Sequence, residues 1–470
     1  MKLLAEESIN KIIPVHAQFI VDSLIDNGYE AYFVGGCVRD LLLNRTPHDW
    51  DICTAATPDK VNEIFNKIAE ISNYRLNIIP TGIKHGTLTV GLDDAYFEVT
   101  TFRVDGNYTD CRRPDDVSFT SDIVQDLSRR DFTINSIAYN SHVGFVDPFH
   151  GIEDIQQHVI KCVGDPDCRF NEDGLRVLRA IRFAAQLNFD IETKTQESIH
   201  RNKRLIDNIS RERIQSELCK ILNCPCCGSS IFRNYIDIFS QFIPNIDRMR
   251  GIHQASSYHP WDVWEHTLHS MEYLAYSGNS TDDIILRLAL LLHDIGKPLC
   301  ESALTGHFHG HEVESATLAK IILTELKFSR EIIDDTVQLI LNHVEKFTPT
   351  GSCVKRLLNK LGETQLKRLI ELRRCDIHGQ AVEYAAARFA TVSTFEDVMT
   401  QSLLNNECYK LNQLHINGDD IIRLGVLPGI AVGKLLQELL YLVIDEKIEN
   451  DKQLLIEKAK TLIGVAHLNE

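Results

Sequence analysis

Two carboxylates at i and i+2, Asp49 and Asp51, follow a paired glycine turn in the run Tyr32-Phe33-Val34-Gly35-Gly36-Cys37-Val38-Arg39-Asp40. On a strand, i and i+2 share one face. The pair would therefore stand side by side just beyond Gly35-Gly36. That arrangement suits two divalent ions held against a triphosphate, the chemistry of phosphoryl or nucleotidyl transfer. Such a site usually needs a third carboxylate, and Glu98 in Phe97-Glu98-Val99-Thr100-Thr101 is the candidate from a neighbouring strand. Gly35 and Gly36 let backbone N–H groups approach phosphates. Arg39, one helical turn on, supplies a cation for their oxygens. A D-x-D pair alone is more often a solvated strand edge; the preceding Gly-Gly-x-x-Arg-Asp shifts the reading to a site.

Two further charged runs are less decisive alone. Ser128-Arg129-Arg130-Asp131-Phe132-Thr133-Ile134-Asn135 also describes an N-capped helix with exposed charges. In Glu172-Asp173-Gly174-Leu175-Arg176-Val177-Leu178-Arg179-Ala180-Ile181-Arg182, charges recur every three residues and would stack on a slowly rotating helical face. A salt-bridged surface helix has the same pattern.

The elements that must position these residues fall into two regimes. Residues 1–30 have the apolar spacing of a helix (Ile9, Ile12, Ile13, Phe19, Ile20, Leu24). Residues 31–150 mix strands, at Ala31–Val34, Asp51–Thr54, Thr87–Leu92 and Phe97–Phe102, with short helices. Beyond about 152 nearly every segment has helical period. The expected domains are an α/β head (1–150) and three helical stretches (151–228, 229–380 and 381–470).

At 470 residues the chain exceeds what one core organises. Its composition, 44% hydrophobic and 24% charged, is that of a globular protein. No run of about 18 apolar residues suggests a membrane span. The start of the chain lacks the features of a signal peptide, which implies a cytoplasmic protein. Thirteen scattered cysteines fit reduced thiols, and the Cys219, Cys224, Cys226, Cys227 group reads as a loop after a helix rather than a zinc site. A net charge of −17 argues weakly against nucleic acid, yet residues 169–213 hold ten Lys/Arg against seven Asp/Glu. Screening confines fields to about 10 Å, so a local basic surface can still bind phosphates.

Taken together, these segments resemble the class II CCA-adding tRNA nucleotidyltransferases and bacterial poly(A) polymerases. The matching runs are the Gly35–Asp40 turn with Asp49-Trp50-Asp51, Lys84-His85-Gly86-Thr87, Arg129–Asn135, Glu172–Arg179, and Arg211-Glu212-Arg213-Ile214-Gln215-Ser216-Glu217-Leu218. The resemblance implies an α/β nucleotidyltransferase (polymerase-β-like) head followed by all-α neck, body, HD and tail domains. For the three helical stretches it implies a base-selecting, RNA-binding neck, a body with an HD metal-dependent phosphohydrolase domain and an RNA-binding tail. It implies Mg²⁺ at Asp49 and Asp51, and a triphosphate held by Gly36, Arg39 and Arg129 or Arg130. Asp173 and Arg176 would read the incoming base, supported by Arg179 and Arg182. That assignment is chemically sound. Cytosine and adenine both pair an exocyclic amine with a ring-nitrogen acceptor, so a carboxylate and a guanidinium select C and A without a template. Arg112-Arg113-Pro114 falls in the segment resembling the family's flexible loop. The implied partners are the tRNA 3′ end, CTP and ATP, with no membrane; oligomeric state is open. Poly(A) polymerase shares these motifs and stands as the alternative.

A histidine constellation follows. Trp264-Glu265-His266, Leu291-Leu292-His293-Asp294-Ile295-Gly296-Lys297-Pro298, His307, His309 and His311, Asn342-His343 and Arg373-Arg374-Cys375-Asp376 resemble the HD phosphohydrolases. That resemblance implies His266, His293, Asp294 and Asp376 as metal ligands, His311 and His343 for a second ion, and Lys297 for phosphate. Imidazole with carboxylate suits Mn, Fe, Ni or Zn better than Ca²⁺, with Mg²⁺ the alternative at this site. Hydrolysis of phosphate esters or 2′,3′-cyclic phosphates would follow. A different class of reading makes the chain a metal phosphohydrolase whose nucleotidyltransferase fold only binds RNA. In the tail, Gly425–Lys434 imitates a P-loop, but the spacing is short and Leu435 follows Lys434. It reads as a turn, either touching an RNA backbone or simply joining helices.

Overall fold

Pro14 fixes where the first described helix begins. Proline lacks an N–H and locks φ, so the helix starts at Val15 and runs to Asp26, with Gly28 beyond it at φ +86°. Among the described residues the expected helix over 1–30 is interrupted: Ile9 is helical, residues 10–14 are not, and the helix resumes at Val15. The structure is a computed structural model that describes residues 9–72, 74–106, 108, 116–224, 229–255, 258–276, 284–300 and 307–466. It divides into two compact units, one ending at Pro244 and one beginning at Asn245.

The first unit is built on a seven-stranded sheet. Its strands are β1 (Ala31–Val34), β2 (Asp51–Thr54), β3 (Leu76–Gly82), β4 (Thr87–Leu92), β5 (Ala95–Thr101), β8 (Ala138–Asn140) and β9 (Gly144–Val146), in the order β3-β4-β5-β2-β1-β8-β9. β6 (Arg103–Asp105) and β7 (Val117–Phe119) form a separate hairpin. The Arg112-Arg113-Pro114 segment lies outside the described residues. β2 and β5 run parallel with Asp51 opposite Glu98; β4 flanks β5 with Thr89 opposite Glu98. Alternation on β5 buries Phe97, Val99 and Thr101 and turns Tyr96 and Glu98 outward. Asp49 precedes β2 rather than lying on it. Among the described residues of the first unit after 150, helices dominate, with a two-residue parallel pair, Val159–Ile160 with Asp190–Ile191, and a bridge from Cys162 to Phe132.

In the second unit the described residues form helices. Val263–Tyr276, Ile284–Leu292, His311–Glu325, Arg330–Asn342 and Gly351–His378 surround a core in which Leu288, Leu290, Leu291, Leu339 and Leu372 are buried. The last of these is interrupted at Gly362, whose φ of +77° only glycine adopts readily. Helix Val382–Leu404 follows. A separate cluster around Ile421, Leu439, Leu440, Ile444 and Leu455 stabilises the tail helices Gly418–Arg423, Ile430–Ile444 and Lys452–Ala466. The Gly429 turn precedes Ile430–Ile444 at φ +137°. No helix among the described residues is long and apolar enough to cross a membrane.

Candidate active site and metal centre

At the edge of β2, Asp49, Trp50, Asp51, Thr89, Tyr96 and Glu98 line one cleft. The parallel register sets Asp51 opposite Glu98 and the segment leading into β2 adds Asp49, so all three sequence-predicted carboxylates come together. Trp50 is held edge-on to Phe33, with ring centroids 5.3 Å apart. Desolvation pushes the Asp51 carboxyl up, Arg130 draws it down, and Glu98 and Asp49 push it up again. Three acids crowded around one cation favour recruiting further positive charge.

Gly35 provides the turn into helix Gly36–Leu42 at φ +80°. A Cβ there would lie 3.2 Å from Arg130 Nη1, so the backbone and the guanidinium meet closely. Arg130 and Arg129 follow helix Ile123–Ser128 rather than starting a helix. Both donate to the buried carboxylate of Asp126, at 3.2 Å and 2.7 Å. Arg130 Nε is buried with no hydrogen-bond partner. Arg39 is itself buried: it donates to Asp40 Oδ1 at 2.9 and 2.8 Å and to Asn135 Oδ1 at 2.8 Å. Asn135 donates to Asp131, which accepts two bonds from Arg179 at 2.8 and 2.6 Å. Burial pushes the Asp131 carboxyl up, but the Arg179 guanidinium outweighs it and holds it at about 2.

Asp173 and Arg176 are separated by a break, since Asp173 has extended backbone between helices Pro166–Glu172 and Leu175–Leu187. The continuous helical face expected from Asp173 to Arg179 thus starts only at Leu175. Asp173 accepts from Arg213 at 2.7 Å. Arg176 pairs with Glu172 and donates to the Arg129 carbonyl at 3.1 Å. Arg182 donates to Glu217 at 2.6 Å. The rings and cations converge on Phe183, with Arg39, Arg179 and Arg182 at 5.0, 5.4 and 4.0 Å from its centroid.

The second unit brings His266, His293, Asp294, His311, His343 and Asp376 together from within or at the ends of five helices, while His307 and His309 belong to neither ligand cluster. His266, His293 and Asp294 form one cluster of potential ligands; Asp294, His311 and His343 form another. Asp294 lies between them, Oδ2 3.7 and 3.3 Å from His266 and His293, Oδ1 3.5 and 3.8 Å from His311 and His343. Asp376 Oδ1 is 3.1 Å from His266 Nε2. The ring orientations are fixed from behind. Nδ1 of His266, His293, His311 and His343 donates to the carbonyls of Gly379, Leu290, Phe308 and Ile340, at 2.9, 2.8, 2.7 and 2.6 Å. Each Nε2 then presents a lone pair. His311 Nε2 and His343 Nε2 are 3.1 Å apart, an arrangement that is repulsive without a cation. Among the described residues, His293 Nε2 and Asp294 Oδ1 are buried with no hydrogen-bond partner. The donor set therefore fits one or two divalent ions. Burial drives the His343 imidazole down to about 3, with His293 adding to the shift, so it stays neutral as a ligand must. Lys297 Nζ contacts Asp294 at 2.6 Å and Gln254 at 2.9 Å.

A cavity of about 680 Å³ opens beside this cluster. Several of its residues were not singled out from the sequence: His259, Gln380, Tyr384 and Arg388. Tyr384 and Arg388, four residues apart on helix Val382–Leu404, share a face, which marks no chemistry, and Gln380 precedes that helix. Asp126 was missed in the first unit, although its spacing to Arg129 and Arg130 suits an ion pair.

The chain matches the poly A polymerase head domain over residues 31–161, the probable RNA and SrmB-binding site of polymerase A over 188–233, and the HD domain over 257–378. Both the head and the HD families are metal-dependent. It is 34% identical over 436 residues to the CCA-adding enzyme of Lactobacillus helveticus, spanning 93% of this chain and 94% of that protein. It is 32% identical to the CCA-adding enzyme of Oceanobacillus iheyensis over 93% and 95% of the two chains. A crystal structure of the Bacillus stearothermophilus CCA-adding enzyme in complex with CTP superposes with a TM-score of 0.68 at 26% identity, covering 97% of this chain and 98% of that one. The fold, the motif order and this full-length similarity agree: the chain belongs to the CCA-adding enzyme family, with a polymerase-β-like head and an HD domain.

Proposed function

We propose that the chain completes tRNA 3′ ends, adding C, C and A in turn from CTP and ATP without a template. The observation that carries this reading is the cleft lined by Asp49, Asp51 and Glu98, with Arg130 acting on Asp51 and closely approaching the Gly35 turn, in a chain related over most of its length to CCA-adding enzymes. The 3′ oxygen of the RNA bonds to the α-phosphorus, the α–β bridging bond breaks, and pyrophosphate leaves. Asp49, Asp51 and Glu98 would hold Mg²⁺, which neutralises developing charge on the transferring phosphorus. Arg129, Arg130 and the backbone N–H groups of Gly35 and Gly36 hold the triphosphate. Arg39, locked by Asp40 and Asn135, supports the turn and its phosphate contacts. Asp173 accepts from the exocyclic amine of the base, and Arg176 donates to its ring nitrogen. Their present pairing with Arg213 and Glu172 is exchanged for the base. Arg179 and Arg182 fix the helix that carries Arg176.

The division into head (1–150), neck (151–228), body with HD domain (229–380) and tail (381–470) belongs to the same proposal, as does action in the cytoplasm. The HD domain hydrolyses phosphate esters or 2′,3′-cyclic phosphates with Mn, Ni, Fe, Zn or Mg²⁺. His266, His293, Asp294 and Asp376 would hold one ion, and Asp294, His311 and His343 a second. Such an ion supplies hydroxide near neutral pH. Water oxygen bonds to phosphorus as the ester P–O bond breaks, and the leaving oxygen takes up a proton. Lys297 steadies the phosphate.

Asp51→Asn tests the polymerising site. It should lose about three orders of magnitude in nucleotide addition, roughly 4 kcal/mol, while still binding CTP. Undiminished addition would contradict the assignment.

A further inference from the structure

We propose that Tyr384 and Tyr258, braced by Arg388, form a subsite that receives a nucleobase beside the HD ligand cluster, so the ester taken there is that of a nucleotide. The inference rests on the hydrolase reading above and names its substrate class.

The two tyrosines line the same cavity as Asp294 and Asp376. Their centroids are 4.6 Å apart with planes at 63°, an edge-to-face pair that fixes both rings. Tyr384 and Tyr258 nevertheless stay 39% and 44% exposed, so both rings keep accessible surface. The Arg388 guanidinium lies 5.6 Å from the centre of the Tyr258 ring. The Ala381 N–H donates to the Tyr258 carbonyl at 2.8 Å, pinning the start of helix Val382–Leu404 to the Tyr258 segment. Tyr384 and Arg388 are four residues apart on that helix and share a face.

The platform is also tied to the ligand cluster. Arg388 pairs with Gln380, Gln380 Nε2 donates to Asp376 Oδ2 at 3.1 Å, and Asp376 meets His266 at 3.1 Å. Lys297 and Arg373 line the cavity as well, so cations for a phosphate and rings for a base sit in one enclosure. A small alkyl phosphate would use only the cations. A nucleotide would use both, and base stacking on an aromatic ring strengthens binding by roughly tenfold or more.

The test uses the full-length protein loaded with Mn²⁺ and two secondary-alcohol monoesters, 3′-AMP and glycerol 2-phosphate. The expected KM for 3′-AMP is at least tenfold below that for glycerol 2-phosphate. Tyr384→Ala should raise the 3′-AMP KM about tenfold more than the glycerol 2-phosphate KM, with kcat moving little. Tyr384→Trp should restore the preference. Equal KM values in the unsubstituted protein, or a Tyr384→Ala effect equal on both esters, would overturn the proposal. If neither ester is hydrolysed, the hydrolase reading falls, and calorimetric binding of 3′-AMP decides the subsite separately. Binding weakened about tenfold by Tyr384→Ala supports it; equal binding by both proteins overturns it.

Discussion

Single residues carry the chemistry, and their environments say what each substitution would do. Asp131 lies buried at the junction of Asn135 and Arg179. Its carboxyl is held at about 2 against an ordinary value near 4, so its ionised form stabilises the fold above about pH 4, and that stability is lost as pH falls from 4 towards 2. Urea titrations at stepped pH should show Asp131→Asn losing about 2 kcal/mol less than the unsubstituted protein across that window. Arg179→Met, which leaves the buried carboxylate without its cation, should cost about 3–5 kcal/mol at pH 7. At this scale the sequence was informative where residue type and short spacing suffice. Asp51 and Glu98 share a cleft because one parallel register sets them opposite each other, and Asp49 joins them from the segment leading into β2. The ties of Arg39 to Asn135 and of Asp173 to Arg213 were not legible, since partners 96 and 40 residues away are set by packing rather than spacing.

Elements position those residues through a few close backbone approaches. A Cβ on Gly379 would fall 2.7 Å from the His266 carbonyl and 2.8 Å from its Nδ1. Gly379→Ala should therefore displace the His266 ring and weaken metal binding at least tenfold, measured by competition with a chromophoric chelator. Gly35→Ala forces a left-handed conformation onto a residue with a Cβ, at about 1–2 kcal/mol, and crowds Arg130. The expected result is a raised KM for CTP and ATP alike, because the turn meets the triphosphate rather than the base. Strand β2 and the Gly-Gly turn were readable as local patterns. The helix expected over residues 1–30 is broken at residues 10–14, because apolar spacing does not register the interruption that Pro14 imposes. The helical face drawn through Asp173 failed for a similar reason: periodicity does not register a single extended residue between two helices.

At the scale of the molecule, each candidate centre draws its residues from one compact unit, the carboxylate cleft from the first and the histidine cluster from the second. The two activities should separate. Asp294→Ala should abolish phosphoester hydrolysis while CCA addition continues, and Asp51→Asn should do the reverse. Chelation should lower the thermal midpoint of the second unit, since a ligand bound only by the folded state stabilises it by mass action. The most direct measurement is extension of a tRNA transcript lacking its 3′ CCA, with CTP, ATP and Mg²⁺, resolved to single nucleotides. Growth by three nucleotides and then arrest is the predicted result. A long ladder from ATP alone would make the chain a poly(A) polymerase, and no extension at all would contradict the account.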